Sequence, residues 1–288
     1  MGPETTTDEV LEGVDLSGRT ALVTGASAGL GVETVRALQS KGCEVVGAVR
    51  DVAKAKAVVD CDLVELDLAD LASVRRGAAA AAERLPRIDL LVNNAGVMAC
   101  PLGRTADGFE MQLGTNHLGH FAWTTALLPQ LGEDSRIVNL SSRGHVRSGM
   151  LWDDPHFRDE KAYEKWKAYG QSKTANVLFT QGLAARGFTS YAVHPGVILT
   201  ELGRHLTAED SEGLAKRLPT FKTIPQGAAT TVFACVAPDL PNGAYLEDCG
   251  VAGPINEDFT AGVMGWAVDP DEAERLWTWS QEQVSTGS

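Results

Sequence analysis

Residues 19–42 read RTALVTGASAGLGVETVRALQSKG, and the fold turns on how this stretch divides. Its first seven residues are a short apolar run that stops at Gly25, the pattern of a strand buried on both faces. From Leu30 the apolar residues recur at helical spacing and stop at Gly42, which suits a helix C-cap. Between the two lies TGASAGLG, with glycine at 25, 29 and 31. Glycine lets backbone approach a ligand because no Cβ stands in the way. The helix N-terminus then turns unpaired N–H groups toward an anion. The spacing is G-x-x-x-G-x-G, not the commoner G-x-G-x-x-G. A tight strand-to-helix turn with no ligand would also use glycine here.

Working outward, the same alternation recurs. CEVVGAVR and LVELDL read as the second and third strands, LASVRRGAAAAAERL as a helix closed by Pro86, and IDLLVNNAG and SRIVNLSS as two further strands. A helix around Tyr169, the strand SYAVHPG and the short run GAYLED follow, and DPDEAERLWTWSQEQ reads as a capped amphipathic helix whose tryptophans pack core or interface. Apolar strands separated by helices imply a parallel sheet covered on both faces. Right-handed crossovers make it a doubly wound, Rossmann-type α/β sheet. There is no internal repeat and no linker rich in Pro, Gly or Ser. One domain over 19–288 is expected, preceded by a flexible leader over 1–18. Two stretches break the rhythm, 143–168 and 197–226, and long excursions on such a scaffold are often functional.

Composition narrows the function classes. The 288 residues carry a formal net charge of -13, so the basic footprint of a nucleic-acid binder is missing. The N-terminus has neither the basic nor the apolar segment of a signal peptide, and no run is long enough to span a membrane. Cys43, Cys61, Cys100, Cys235 and Cys249 are scattered, with no C-x-x-C. Free thiols in a reducing cytoplasm fit that pattern. The six histidines form no H-x-x-x-H pair. His117 and His120 could share a helix face, but a zinc site needs more ligands, and no metal is expected.

In KWKAYGQSKTANVLF, Tyr169 and Lys173 stand four apart and share a helix face. Alone, such a pair is usually surface. Here it occurs with TGASAGLG (24–31), NNAG (93–96), VNLSS (138–142) and HPG (194–196), in that order. Together these motifs resemble the short-chain dehydrogenase/reductase family over about residues 17–250. The segment WKAYGQSKTANVLFTQ and the excursion before it are similar to the retinol-dehydrogenase-like branch, including soluble bacterial oxidoreductases. Retinoid chemistry itself is not implied, because membrane-bound relatives carry an apolar N-terminal segment.

The resemblance implies roles residue by residue. Tyr169 would be the general acid/base, and Lys173 would lower its pKa and bind ribose; a nearby cation favours phenolate. Ser141 and Ser142 compete for orienting the substrate oxygen, and the resemblance selects Ser142. Asn116, in LGTNHLGHF, would complete a proton relay. Gly25, Ser27, Ala28, Gly29, Leu30 and Gly31 would hold the cofactor phosphates. Asp67 and Leu68 would lie beside the adenine, and Asn94, Ala95 and Gly96 beside its ribose. Pro195, Gly196, Val197 and Thr200 would meet the nicotinamide. Several of these are equally expected as turn residues.

Cofactor choice rests on the end of the second strand, where NAD sites carry a carboxylate and NADP sites an arginine. The acidic position falls on Val49 and Arg50 follows, which favours NADP. NAD is the alternative if Asp51 takes the ribose, and Ala28 stands where some NADP members are basic. The excursion at 197–226 is expected to be a substrate lid. Leu199, Leu202, Leu206, Leu214, Leu218 and Phe221 give it an apolar character, with Arg204 and His205 between. The expected activity is hydride transfer between NADP(H) and a lipophilic carbonyl or secondary alcohol, in a homodimer or homotetramer paired through the Tyr169 helix. The alternatives are a non-catalytic NADP(H)-binding sensor, or a C=C reductase or isomerase on the same site.

Overall fold

A computed structural model describes residues 1–217 and 221–285. In chain order the elements are α1 (Thr7–Val10), β1 (Thr20–Thr24), α2 (Gly29–Gln39), β2 (Glu44–Val49), α3 (Val52–Lys56), β3 (Asp62–Glu65), α4 (Leu71–Arg84) and β4 (Ile88–Asn93). Then come α5 (Met111–Leu113), a π-helical turn (Gly114–Leu118), α6 (Gly119–Leu127), β5 (Leu131–Leu140), α7 (Lys165–Ala185) and β6 (Thr189–His194). The chain closes with α8 (Ala208–Arg217), α9 (Ile224–Val236), β7 (Tyr245–Glu247), β8 (Gly250–Val251) and α10 (Pro270–Ser285).

The strands form a single sheet in the order β3–β2–β1–β4–β5–β6–β7–β8. Every pairing is parallel except the β7–β8 hairpin. Side chains along a strand alternate between faces, and the core divides accordingly. Ala21, Val23, Leu90 and Val92 face Val35 and Leu38 of α2 and Ala234 of α9. Leu22, Leu91 and Ile137 face Val74 of α4, Trp123 of α6 and Phe179 of α7. The expected doubly wound sheet in one domain is what forms. The winding order of the sheet reverses between β1 and β4, which themselves run parallel, and in such sheets a crevice opens there at the carboxyl ends of the strands.

Two expectations change. Residues 1–18 are not loose. Thr6 closes a capping box with Glu9 at the start of α1. Val10 and Leu11 pack on Ala37 of α2 and on Ala229 and Val232 of α9. Leu11 is fully buried, and the Thr7 hydroxyl donates to the buried Glu33 carboxylate. Apolar burial outweighs the polar composition of the segment. The second change is the hairpin strand β8, too short to leave a periodic signal. In the 197–226 excursion, Ile198 and Lys222 pair as an isolated bridge that closes its base. Leu218 and the side chain of Leu214 lie outside the described residues. Leu199 is 73% exposed, and Leu202 and Leu206 are half-buried.

Candidate functional site

A cleft of about 1550 Å³ runs along the carboxyl ends of the strands. It brings together Gly25, Ser27, Ala28, Gly29, Leu30, Gly31, Arg50, Asp67, Leu68, Asn94, Ala95, Gly96, Ser142, Tyr169, Lys173, Pro195, Gly196, Val197 and Thr200. Of the site residues read from the sequence, Asn116 alone lies behind this wall.

The glycine loop is shaped for close approach. A Cβ on Gly31 would stand 2.2 Å from the Gly25 carbonyl oxygen, and one on Gly25 would stand 2.9 Å from the Ala95 Cα. Gly25 and Gly29 also have φ of +74° and +53°, which glycine adopts freely. Ala28 caps α2 with no side-chain hydrogen bond. The first-turn N–H groups are thus left to the cleft, a ready anion site. These cradles fit a dinucleotide phosphate.

The Asn94–Gly96 turn is held from behind. The Thr24 hydroxyl oxygen accepts from the Asn94 and Ala95 N–H groups at 2.9 and 3.0 Å. The Asn94 side chain donates to the Thr24 carbonyl at 2.8 Å. A Cβ on Gly96 would lie 3.0 Å from Asn116 Oδ1 and 3.7 Å from Lys173 Nζ, so a side chain there would wedge between those two groups.

At the end of β2, Arg50 is exposed and makes no hydrogen bond or ion pair among the described residues. Asp51 is committed elsewhere: it N-caps α3, accepting from the Lys54 N–H at 2.9 Å. Asp67 accepts from the Ala69 N–H at 2.9 Å. Gly196 (φ +90°) has the Lys222 chain where a Cβ would go, at 2.7 Å, and Lys222 pairs with Asp248 at 2.5 Å.

The reacting end gathers on β5 and α7. Ser141 turns back, donating to the Lys173 carbonyl at 2.8 Å. Ser142 lines the cleft with Tyr169 and accepts from the Gly144 N–H at 3.0 Å. Both serines line the cleft, but only the Ser141 hydroxyl is spent on a backbone carbonyl. Tyr169 and Lys173 are both 4% exposed. The Lys173 ammonium donates to the Leu140 carbonyl at 2.9 Å and lies 5.7 Å from the Tyr169 ring centroid. Burial pushes the Tyr169 phenol up to about 12, against the Ser142 hydrogen bond. Burial also pushes Lys173 down to about 7. Desolvation disfavours both charged forms and is the largest influence on each group in the chain alone.

Asn116 sits in the π-helical turn, a distortion that recurs at functional sites. Its side chain donates to the Val97 carbonyl and the Ser172 hydroxyl, each at 2.9 Å, and accepts from the Val97 N–H at 2.8 Å. It thus braces α7 one residue from Lys173. His117 and His120 part company: His117 bonds Ser280 of α10 at 2.8 Å, and His120 bonds Thr24 at 2.9 Å. Among the described residues no cluster of His, Cys, Asp or Glu could hold a metal.

Several cleft residues escaped the sequence reading. A Cβ on Gly144 would meet Tyr169 Cε1 at 2.7 Å, a constraint hidden in the unremarkable SSRGH. Met98, Val146, Trp166 and Phe259 also line the cleft, Trp166 edge-on to the Tyr169 ring, but apolar lining residues carry no motif. Trp166 and Lys165 both hold Asp210 of α8: the indole N–H donates at 2.9 Å and the ammonium forms an ion pair. On the far side Lys54 pairs with Glu201 at 2.6 Å. The excursion is thus tied down at both edges of the cleft.

A family model described as short chain dehydrogenase matches residues 19–152. A probable oxidoreductase of Streptomyces lividans is 43% identical, covering 95% of this chain and 100% of that protein. Retinol dehydrogenase 12 of Mus musculus is 39% identical, covering 93% and 87%. A solved short chain dehydrogenase from Burkholderia cenocepacia J2315, in complex with NADP, is 28% identical with a TM-score of 0.62, covering 79% of this chain and 93% of that one. No described helix is long and apolar enough to cross a membrane.

Proposed function

The chain belongs to the short-chain dehydrogenase family, and on that premise we propose that it is an NADP(H)-dependent oxidoreductase interconverting a lipophilic carbonyl and its secondary alcohol. The observation that carries this reading is the meeting of Ser142, Tyr169 and Lys173 at the floor of a cleft whose other end is a glycine cradle. When bound, NADP(H) supplies the hydride and, once oxidised, a positive charge beside the phenol. Ser142 holds the substrate oxygen and stabilises charge developing on it. Tyr169, beside Ser142 in the cleft, donates its proton to that oxygen in reduction and takes one in oxidation. Lys173 binds the ribose, and its nearby ammonium favours the phenolate form of Tyr169. Asn116 keeps α7 in register for both.

Arg50 supports the phosphate-bearing cofactor. A free guanidinium at the end of β2 suits a 2′-phosphate by charge and fork geometry, while Asp51 is spent on its helix cap. The solved relative with NADP bound agrees. Met98, Val146, Trp166 and Phe259 add apolar surface to the cleft, which favours a lipophilic substrate. A dimer or tetramer through α7 and residence in the cytoplasm belong to the same proposal.

The test is consumption of NADPH and NADH against a panel of hydrophobic aldehydes and ketones, with Tyr169→Phe alongside. NADPH-dependent turnover that disappears in Tyr169→Phe supports the reading. Preference for NADH would move the ribose contact to Asp51. Tight nucleotide binding with no turnover across the panel would favour a nucleotide sensor.

A further inference from the structure

His120 is 2% exposed and touches the cleft nowhere, yet it joins two parts of the site. Its Nδ1 lies 3.0 Å from the Asn116 carbonyl oxygen, and its Nε2 lies 2.9 Å from the Thr24 hydroxyl. Hydrogen-bond counting fixes its state. A carbonyl only accepts, so Nδ1 carries the proton. The Thr24 oxygen already accepts two backbone N–H groups, from Asn94 and Ala95. Its own proton is therefore free to go to Nε2, which is 2.9 Å away, whereas the Val92 carbonyl is 3.5 Å away. One neutral tautomer satisfies every group in a line running from the Asn94–Ala95 turn through Thr24 and His120 to Asn116.

We infer that His120 is a positioning residue that couples the nucleotide-binding turn at Asn94–Gly96 to the Asn116 brace beneath Lys173. The inference rests on the reductase reading for its effect on turnover, but not for its effect on the turn. Its two ring nitrogens serve different halves of the site. Nε2 keeps the Thr24 hydroxyl oriented so that its oxygen faces the two backbone amides. Nδ1–H holds the π-helical turn in which Asn116 reaches Ser172, next to Lys173.

Two substitutions separate the halves. His120→Gln places an amide oxygen where Nε2 stood and loses the bond to Asn116. His120→Asn places an N–H where Nδ1 stood and leaves Thr24 without its acceptor. We expect His120→Gln to keep NADPH affinity within about threefold while kcat falls about tenfold, the scale of one lost buried hydrogen bond. His120→Asn should instead weaken NADPH binding about tenfold. It should also speed amide exchange at Asn94 and Ala95 in the nucleotide-free protein. Thr24→Val should repeat the His120→Asn pattern and Thr24→Ser should not. Parallel losses in both His120 variants, or unchanged values in both, would overturn the inference. If the His120 variants do not fold, nitrogen NMR of the unaltered protein decides it: a neutral His120 protonated at Nδ1 alone supports the inference, and a proton on Nε2 overturns it. Absence of turnover in the unaltered protein would count against the reductase reading alone, since amide exchange and NADPH affinity still test the coupling.

Discussion

Acid should destabilise this protein through its buried histidines before its carboxylates titrate. Burial pushes His120 down to about 4 and His117 down to about 3, from an ordinary value of 6.5. A histidine whose folded pKa is depressed costs nothing while both states are neutral. As pH falls through 6.5 the unfolded chain takes up the proton and the folded chain does not, so stability falls until the folded pKa is reached. Each pH unit in that window costs about 1.4 kcal/mol per group. Between pH 7.5 and 5.0, His120 therefore removes about 2 kcal/mol and His117 about as much again. Other groups titrate over the same range. Burial raises the Glu110 pKa, which works in the opposite direction, and Lys173 at about 7 adds to the loss. Comparing the chain with His120→Gln cancels them. Urea unfolding at fixed protein concentration, at pH 7.5 and 5.0, should show the unaltered protein losing about 2 kcal/mol more than the variant. Equal losses in the two proteins would refute the reasoning, because His120 would then not be neutral in the folded state.

Other outcomes follow from the same structure. Arg50→Ala should raise the Kd for NADPH about 10- to 100-fold and leave that for NADH near its original value, since a charged hydrogen bond to phosphate is worth about 1.5–3 kcal/mol; isothermal titration with both nucleotides checks it. Gly144→Ala should lower kcat by about tenfold or more with NADPH affinity retained, because the added methyl displaces the Tyr169 ring and not the phosphate cradle. Leu11→Ala should cost about 3 kcal/mol and lower Tm by about 9 °C, which calorimetry would register. An unchanged Tm would mean that the N-terminal turn does not stay docked in solution.

The sheet was readable because the central strands carry short apolar runs, such as residues 21–23, 90–92 and 137–138, separated by stretches of helical spacing. The site was readable where several motifs occurred in order; Ser142, Tyr169 and Lys173 do meet in one cleft, and Arg50 directly follows β2. The N-terminal turn was missed although its signal was present. Thr6 and Glu9 stand at capping-box spacing just before Val10 and Leu11, but the surrounding acidic and polar residues masked a two-residue apolar anchor. His120 was missed for another reason. A histidine in a helix carries no mark of its partners, and Thr24 lies 96 residues away in the chain. The burial of Tyr169 and Lys173 was not legible, because spacing along a helix gives proximity but not the cost of desolvation, which is the largest influence on both groups.

The π-helical turn has a consequence for the length of the chain. Before it, Gln112 is buried against the excursion, bonded to Tyr163 and to the carbonyl of Lys165. After it, Phe121 and Trp123 lie under the sheet among Phe179 and Trp277. A uniform α-helix advances about 100° per residue, and it would bring one of these groups into phase at the expense of the other. The surplus residue lets both fit. Removing any one residue from Gly114–Leu118 would regularise the helix and swing either the site side or the sheet side through about 100°. At this point the number of residues is as much a structural specification as the identity of any side chain.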